Sequence, residues 1–141
     1  TGPERAELLK NFLDRLGSRS VGVNLDPANL AMCAGDDPVQ AVFILRDDIL
    51  HTHAKDGVQY KPFDTRRLYC PDYFGLSPLE DSDSFFREVP LGEGGVDWSA
   101  YLGALKQIGY DGFLTVEREC GDTPEEDIGR AVRFLKEKRN K

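Results

Sequence analysis

Three short runs of this chain alternate apolar and polar residues with a period of two and become polar toward their carboxyl ends. They are Val-Gly-Val-Asn-Leu-Asp at 21–26, Ile-Leu-His-Thr-His-Ala at 49–54 and Phe-Leu-Thr-Val-Glu at 113–117. Side chains on a strand alternate between its faces, so each run predicts a strand with one face more apolar than the other. Val21, Val23 and Leu25 oppose Gly22, Asn24 and Asp26. Leu50, Thr52 and Ala54 oppose Ile49, His51 and His53, and Leu114 and Val116 oppose Phe113, Thr115 and Glu117. In each case the more apolar set is suited to packing under helices. The other set ends in a residue type that ligates metals, namely Asp26, His53 or Glu117.

Between these runs the spacing changes to that of amphipathic helices. Residues 4–16 carry Ala6, Leu8, Leu9, Phe12, Leu13 and Leu16 at helical spacing, with Pro3 suited to a first turn and Gly17 as the stop. Asp37, Pro38 and Gln40 open a second helix that reaches about Arg46. Asp97 caps a third, from Trp98 to about Ile108, which Gly109 ends. Thr123, Pro124 and Glu126 form a capping box for a last helix carrying Ile128, Ala131, Val132 and Leu135. Strands alternating with helices predict an α/β fold of parallel strands joined by right-handed crossovers. Residues 57–95 break the alternation, with only a short extended piece expected around Glu88 to Leu91. Their aromatic residues, Tyr60, Phe63, Tyr69, Tyr73, Phe74, Phe85 and Phe86, argue for an ordered lid or subunit contact rather than disorder.

Composition narrows the function classes. With 141 residues the chain is sized for one domain or part of one. Its formal charge of -7 argues against nucleic acid or anionic lipid as a partner, since both are bound through basic surface. No apolar run approaches a membrane span and no signal sequence opens the chain, so a cytoplasmic protein is expected. Cys33, Cys70 and Cys120 form no Cys-x-x-Cys pair and are read as reduced structural thiols. The chain starts at Thr1 without a methionine, which suggests a processed or truncated product.

Four ordered motifs carry a resemblance: Val-Asn-Leu-Asp-Pro-Ala-Asn-Leu (23–30), His-Thr-His-Ala-Lys-Asp (51–56), Pro-Leu-Gly-Glu-Gly-Gly-Val-Asp-Trp (90–98) and Gly-Tyr-Asp-Gly-Phe-Leu-Thr-Val-Glu-Arg-Glu (109–119). Together they resemble the sugar phosphate isomerase/epimerase family, the xylose isomerase-like TIM barrels. The resemblance implies that residues 1–141 are the carboxyl-terminal portion of a (β/α)8 barrel, about its last three βα units, with an idiosyncratic long loop at 57–87. It further implies that a fourth ligand, a glutamate, directly precedes Thr1.

By the same resemblance Asp26, His53 and Glu117 ligate one divalent ion, with Mn²⁺ or Mg²⁺ favoured by the mostly oxygen donor set and Co²⁺ or Zn²⁺ also suited through the imidazole. Relatives polarise a substrate carbonyl on the metal and stabilise an enediolate while carboxylates shuttle the proton, which makes Glu117 the catalytic residue of this chain. His51 is expected to line the interior one layer below His53. Lys55 and Asp56 either orient substrate or ligand or form a surface salt bridge, and Glu93 in Gly-Glu-Gly-Gly is placed near the mouth. Ketose epimerases carry a substrate-binding arginine six residues past the histidine ligand, where this chain has Gln59. Arg66 and Arg67 in the long loop are suited to contacting a phosphate or carboxylate, but are read first as solvated charges.

The expected function is therefore a metal-dependent isomerase or epimerase of a sugar, a sugar phosphate or a related polyol. An inosose-type dehydratase would use similar chemistry. An endonuclease IV-type AP endonuclease shares the barrel but needs more histidine than the two present here. A non-catalytic binding fragment is the third class, because three parallel strands cannot close a barrel and leave two open edges. Association with the missing barrel portion, or homo-oligomerisation, follows from those edges, and the chain alone is expected to be inactive.

Overall fold

The computed structural model describes residues 1–139. Its framework is a three-stranded parallel sheet in the order β1 (Val23–Leu25), β2 (Ile49–Ala54) and β5 (Leu114–Val116). Helices α1 (Ala6–Leu16), α2 (Pro38–Ile44), α5 (Trp98–Gln107) and α6 (Pro124–Arg139) alternate with these strands. The predicted α/β alternation is thus present, and all three strands run in one direction, so their carboxyl ends lie along one rim of the sheet.

Parity places the core as the apolar pattern implies only toward the carboxyl ends of the strands. Val23, Leu25, Thr52 and Ala54 are buried, and they meet Ala41, Val42 and Leu45 near α2 and Tyr101, Ala104 and Leu105 from α5. Val21 and Leu50, expected on the same face, are exposed instead (46% and 70%), and Ile49 from the opposite set packs against the core, because the pairing of β1 with β2 begins only at Val23 and Ile49 and slips after it. Thr52, the polar member of that face, is satisfied in place. Its hydroxyl donates to the Leu25 carbonyl (2.8 Å) and pairs with the Tyr101 phenol (2.7 Å), so no buried polar atom there lacks a partner. On the opposite face Asn24, Thr115 and Phe113 are exposed, and α1 presents a stripe of exposed Leu8, Phe12 and Leu16.

The helix caps behave as their residue types dictate. Asp37 accepts from the Val39 and Gln40 amides, and Asp97 from those of Ser99 and Ala100. Gly17, in the left-handed region at φ 61°, ends α1. Three expectations shift. α1 begins at Ala6 rather than within Pro3–Glu4, because the first backbone donor is taken by Asp36 (2.9 Å) and the Pro3 carbonyl accepts from Thr65 (3.0 Å). α2 stops at Ile44, two residues before Arg46. β1 is shorter than 21–26 because its pairing with β2 slips between Val23 and Asn24.

The segment after β2 departs most from its sequence reading. Residues 57–95 are largely ordered as a hairpin of β3 (Asp56–Gln59) and β4 (Phe86–Val89), antiparallel with Asp56 opposite Val89, enclosing the short helices α3 (Arg66–Tyr69) and α4 (Pro71–Phe74). The extended piece lies two residues earlier than 88–91. Much of the aromatic set is used internally: Phe63 stacks on Phe86 at 5.3 Å and meets Phe85 edge-on, and Phe63, Leu68 and Phe86 cover a second small core of Ala28, Met32 and Cys33. Tyr73 remains 85% exposed.

Candidate metal centre

Asp26, His53 and Glu117 reach one point from three adjacent strand ends, with one donor atom from each lying within 4.8 Å of the others. His53 Nδ1 stands 3.4 Å from Asp26 Oδ2 and 3.2 Å from Glu117 Oε2. The oxygens of Asp26 divide their work. Oδ1 accepts from the Ala28 and Asn29 amides (2.9 and 3.0 Å), which open the π-helical turn Asn29–Ala34, while Oδ2 faces the histidine. Burial pushes the Asp26 carboxyl above its usual range, and the Asn29 amide and the Lys55 and His53 charges pull it back only in part. A buried carboxylate of this kind gains from a nearby cation.

Asn24, exposed on the same face of β1, holds the other histidine nitrogen: its side-chain amide lies 3.0 Å from His53 Nε2. If Nδ1 coordinates an ion, Nε2 carries the proton, and an amide turned by half a rotation presents its oxygen to that proton. Two carboxylate oxygens and one imidazole nitrogen, preset by backbone and amide contacts, suit a divalent ion.

Lys55 belongs to this centre rather than to the surface, being 3% exposed. Its ammonium donates to Glu117 Oε2 (3.1 Å) and to Glu119, with Glu88 Oε2 at 3.5 Å. Burial lowers the lysine's proton affinity, but the bonds to Glu119 and Glu117 outweigh it and raise its pKa above the ordinary lysine range. Lys55 thus stays charged and holds the Glu117 carboxylate in place.

The remaining residues singled out from sequence divide. His51 sits beneath His53, ring edge to face at 5.8 Å. Asp56 is not gathered into the centre. Its carboxylate is buried and accepts from the amides of Gly57, Gly92 and Val96 and from the Trp98 indole (2.9 Å). The Gly-Glu-Gly-Gly turn has its physical reason here, since a Cβ on Gly94 would collide with the Asp56 carboxylate. Glu93 points away from the centre and pairs with Arg130 on α6 (2.7 Å). Gln59 is committed to the Met32 and Cys33 carbonyls (3.1 and 3.2 Å). Arg66 pairs with Asp64, and Arg67 donates to the carbonyls of Ser77 and Pro78, so neither is merely solvated. Asn24, Glu88 and Arg118 escaped the sequence reading. Asn24 was legible by parity, two residues before Asp26 on the same face, whereas nothing periodic marks Glu88.

Comparison with known proteins supplies three findings. The family model described as xylose isomerase-like TIM barrel matches residues 1–138. The crystal structure of a xylose isomerase domain protein from Planctomyces limnophilus superposes with a TM-score of 0.73 at 31% identity, covering 99% of this chain and 43% of that one. The chain thus spans less than half the length of that neighbour. No curated protein matches it.

Proposed function

The chain belongs to the xylose isomerase-like TIM-barrel family, whose members are largely enzymes, and on that footing we propose that it forms the metal-binding end of a sugar isomerase or epimerase. The observation that carries this reading is the convergence of Asp26, His53 and Glu117 from three strand ends to within 4.8 Å. These residues hold one divalent ion, Mn²⁺ or Mg²⁺ by the balance of oxygen over nitrogen. When bound, the ion supplies Lewis acidity toward a substrate carbonyl or hydroxyl oxygen.

The chain's own groups do the rest. Glu117 is one member of an acid–base pair, with Lys55 fixing its Oε2 and a second carboxylate as the other member. The pair takes a proton from the carbon beside that carbonyl and delivers one to the opposite face or to the former carbonyl carbon. Asp26 keeps one oxygen on backbone amides and offers the other to the ion. Gln59 spends its amide on the π-helical turn, so a ketose-epimerase contact from that position is absent from this reading and the substrate is a sugar or related polyol of unspecified type. Thr1 bonds through its amino group to the Asn24 carbonyl and through its hydroxyl to the Asp26 backbone, so a residue preceding it in a longer chain would run beside the ligand cluster. We place a fourth, carboxylate ligand there. In the same reading, further βα units or a second copy of the chain cover the open edges of β1 and β5 and the Leu8–Phe12–Leu16 stripe. None of the described helices is long and apolar enough to cross a membrane. The acidic charge and free thiols support a cytoplasmic protein that binds neither nucleic acid nor membrane.

The test is metal content and turnover in the full natural chain. Asp26→Ala and His53→Ala should each weaken Mn²⁺ binding by more than the ~10- to 100-fold typical of losing an outer-shell group. Glu117→Gln should lower kcat by about 10²- to 10⁴-fold with the fold intact. Wild-type metal content in both alanine variants, or wild-type kcat in Glu117→Gln, would end the assignment.

A further inference from the structure

Glu88 lies in the segment whose sequence has no clear period, yet its side chain is one of the most enclosed carboxylates in the protein, 4% exposed. Its oxygens have separate duties. Oε1 accepts from the Arg118 guanidinium (2.6 Å) and from the amides of Glu119 (3.0 Å) and Cys120 (3.3 Å), the residues that follow Glu117 in the chain. Oε2 faces the Lys55 ammonium at 3.5 Å. Arg118 is in turn anchored to Asp127 on α6 (2.8 Å). Glu88 therefore grips the backbone just beyond Glu117 and the lysine that holds its carboxylate. A cavity of about 10 Å³ lies between Lys55, Asp56, Glu117, Arg118 and Asp127. That is roughly enough for one water, so the network is support and not a substrate site.

We propose that Glu88 is a positioning residue for Glu117, acting through Lys55. The inference rests on the metal-centre reading above and deepens it. A lysine bonded to a ligand carboxylate fixes its direction but also sets a positive charge against an incoming divalent ion. Glu88 and Glu119 take up that charge. Glu119 is 64% exposed and its share is screened by water, whereas Glu88 is enclosed and its share is not. The hairpin of β3 and β4 thereby contributes to the centre without supplying a ligand.

The experiment is a Co²⁺ titration of the full natural chain carrying Glu88→Gln, Lys55→Met or both, with thermal melts alongside. Glutamine keeps an acceptor for Arg118 and the two amides but turns an NH₂ group toward Lys55, which shifts the lysine charge onto Glu117. Co²⁺ binding should weaken by ~10- to 100-fold, the usual effect of losing an outer-shell partner. Because Glu88 acts through Lys55, the double variant should bind like Lys55→Met alone, a non-additive cycle. If Glu88→Gln fails to fold, Glu88→Asp replaces it, keeping charge near Arg118 while withdrawing from Lys55, and should give a smaller loss with the same non-additivity. Wild-type Co²⁺ affinity with only a lowered Tm would overturn the proposal, as would losses that add in the double variant. A His53→Ala control that binds Co²⁺ like wild type would instead remove the metal reading beneath it.

Discussion

The parallel sheet and the hairpin excursion meet at Lys55, and they are held together by different forces. β1, β2 and β5 bury an apolar face of Val23, Leu25 and Ala54 under helices, with Thr52 as the one polar member. The excursion, from Asp56 to Val96, is organised around enclosed polar side chains. Asp56 gathers four donors at its base, Glu88 four at its outgoing strand, and Gln59 bridges to two carbonyls of the π-helical turn. Hydrophobic burial is roughly proportional to area and forgiving of direction, so it leaves a periodic trace in sequence. A buried carboxylate depends on the direction of each donor and leaves none.

The contrast has a large expected consequence. Asp56→Ala strips the acceptor from three backbone amides and the Trp98 indole at once, and should destabilise the full chain by about 3 to 5 kcal/mol in denaturant unfolding. A loss below about 1 kcal/mol would mean that water replaces the carboxylate and that the excursion is held chiefly by its small aromatic core. Gln59→Ala is a finer probe. It removes two bonds to carbonyls at the end of the π-helical turn and should cost about 1 to 2 kcal/mol, since those carbonyls lie partly buried. An unchanged unfolding midpoint would show that the turn is self-sufficient.

How much was legible in sequence follows the same division. Parity along 21–26, 49–54 and 113–117 marked the strands, the packed faces of their carboxyl-terminal halves and the three residues that converge, whereas Val21 and Leu50 at the amino ends are exposed against the pattern. Asp37 and Asp97 marked their helices because an N-cap is a local device that needs no distant partner. Asp56 is grouped with the site in sequence because it adjoins the histidine motif, and Glu93 because the glycines around it suggest a tight turn near the mouth. Their partners, Trp98 and Arg130, lie 42 and 37 residues away, and only the folded chain shows that these carboxylates point elsewhere. Lys55 was ambiguous for a related reason: burial decides whether a lysine next to acids is surface decoration or part of a centre, and burial of one side chain is not periodic information.

The smallest expected effect concerns thiols. Burial pushes Cys33 up to about 11, while Cys70 and Cys120 are exposed. At pH 8 the buried thiol stays protonated, and the thiolate is the reactive species. Maleimide should therefore label Cys70 and Cys120 within minutes and Cys33 only after unfolding, as read by peptide mass spectrometry. Equal labelling of all three would show that the small core of Ala28, Met32 and Cys33 opens readily, and would weaken the picture of an ordered excursion.

The base of the excursion is pinched shut. Asp56 accepts from Val96 at the far end, and the Gly95 amide donates to the Gly57 carbonyl (2.9 Å), so the chain leaves and rejoins the barrel framework through one narrow neck. Beyond a closed neck, the entropic cost of added length grows only logarithmically, about 0.6 kcal/mol for each doubling. Residues 71–84 can therefore be exchanged, extended or trimmed at little expense to the strands below, provided the neck, Glu88, the Thr65 bond to Pro3 and the small core that Phe63, Leu68 and Phe86 cover are kept. The excursion is a cassette: its tip is open to evolutionary drift while its stem remains bound to the chemistry at the rim.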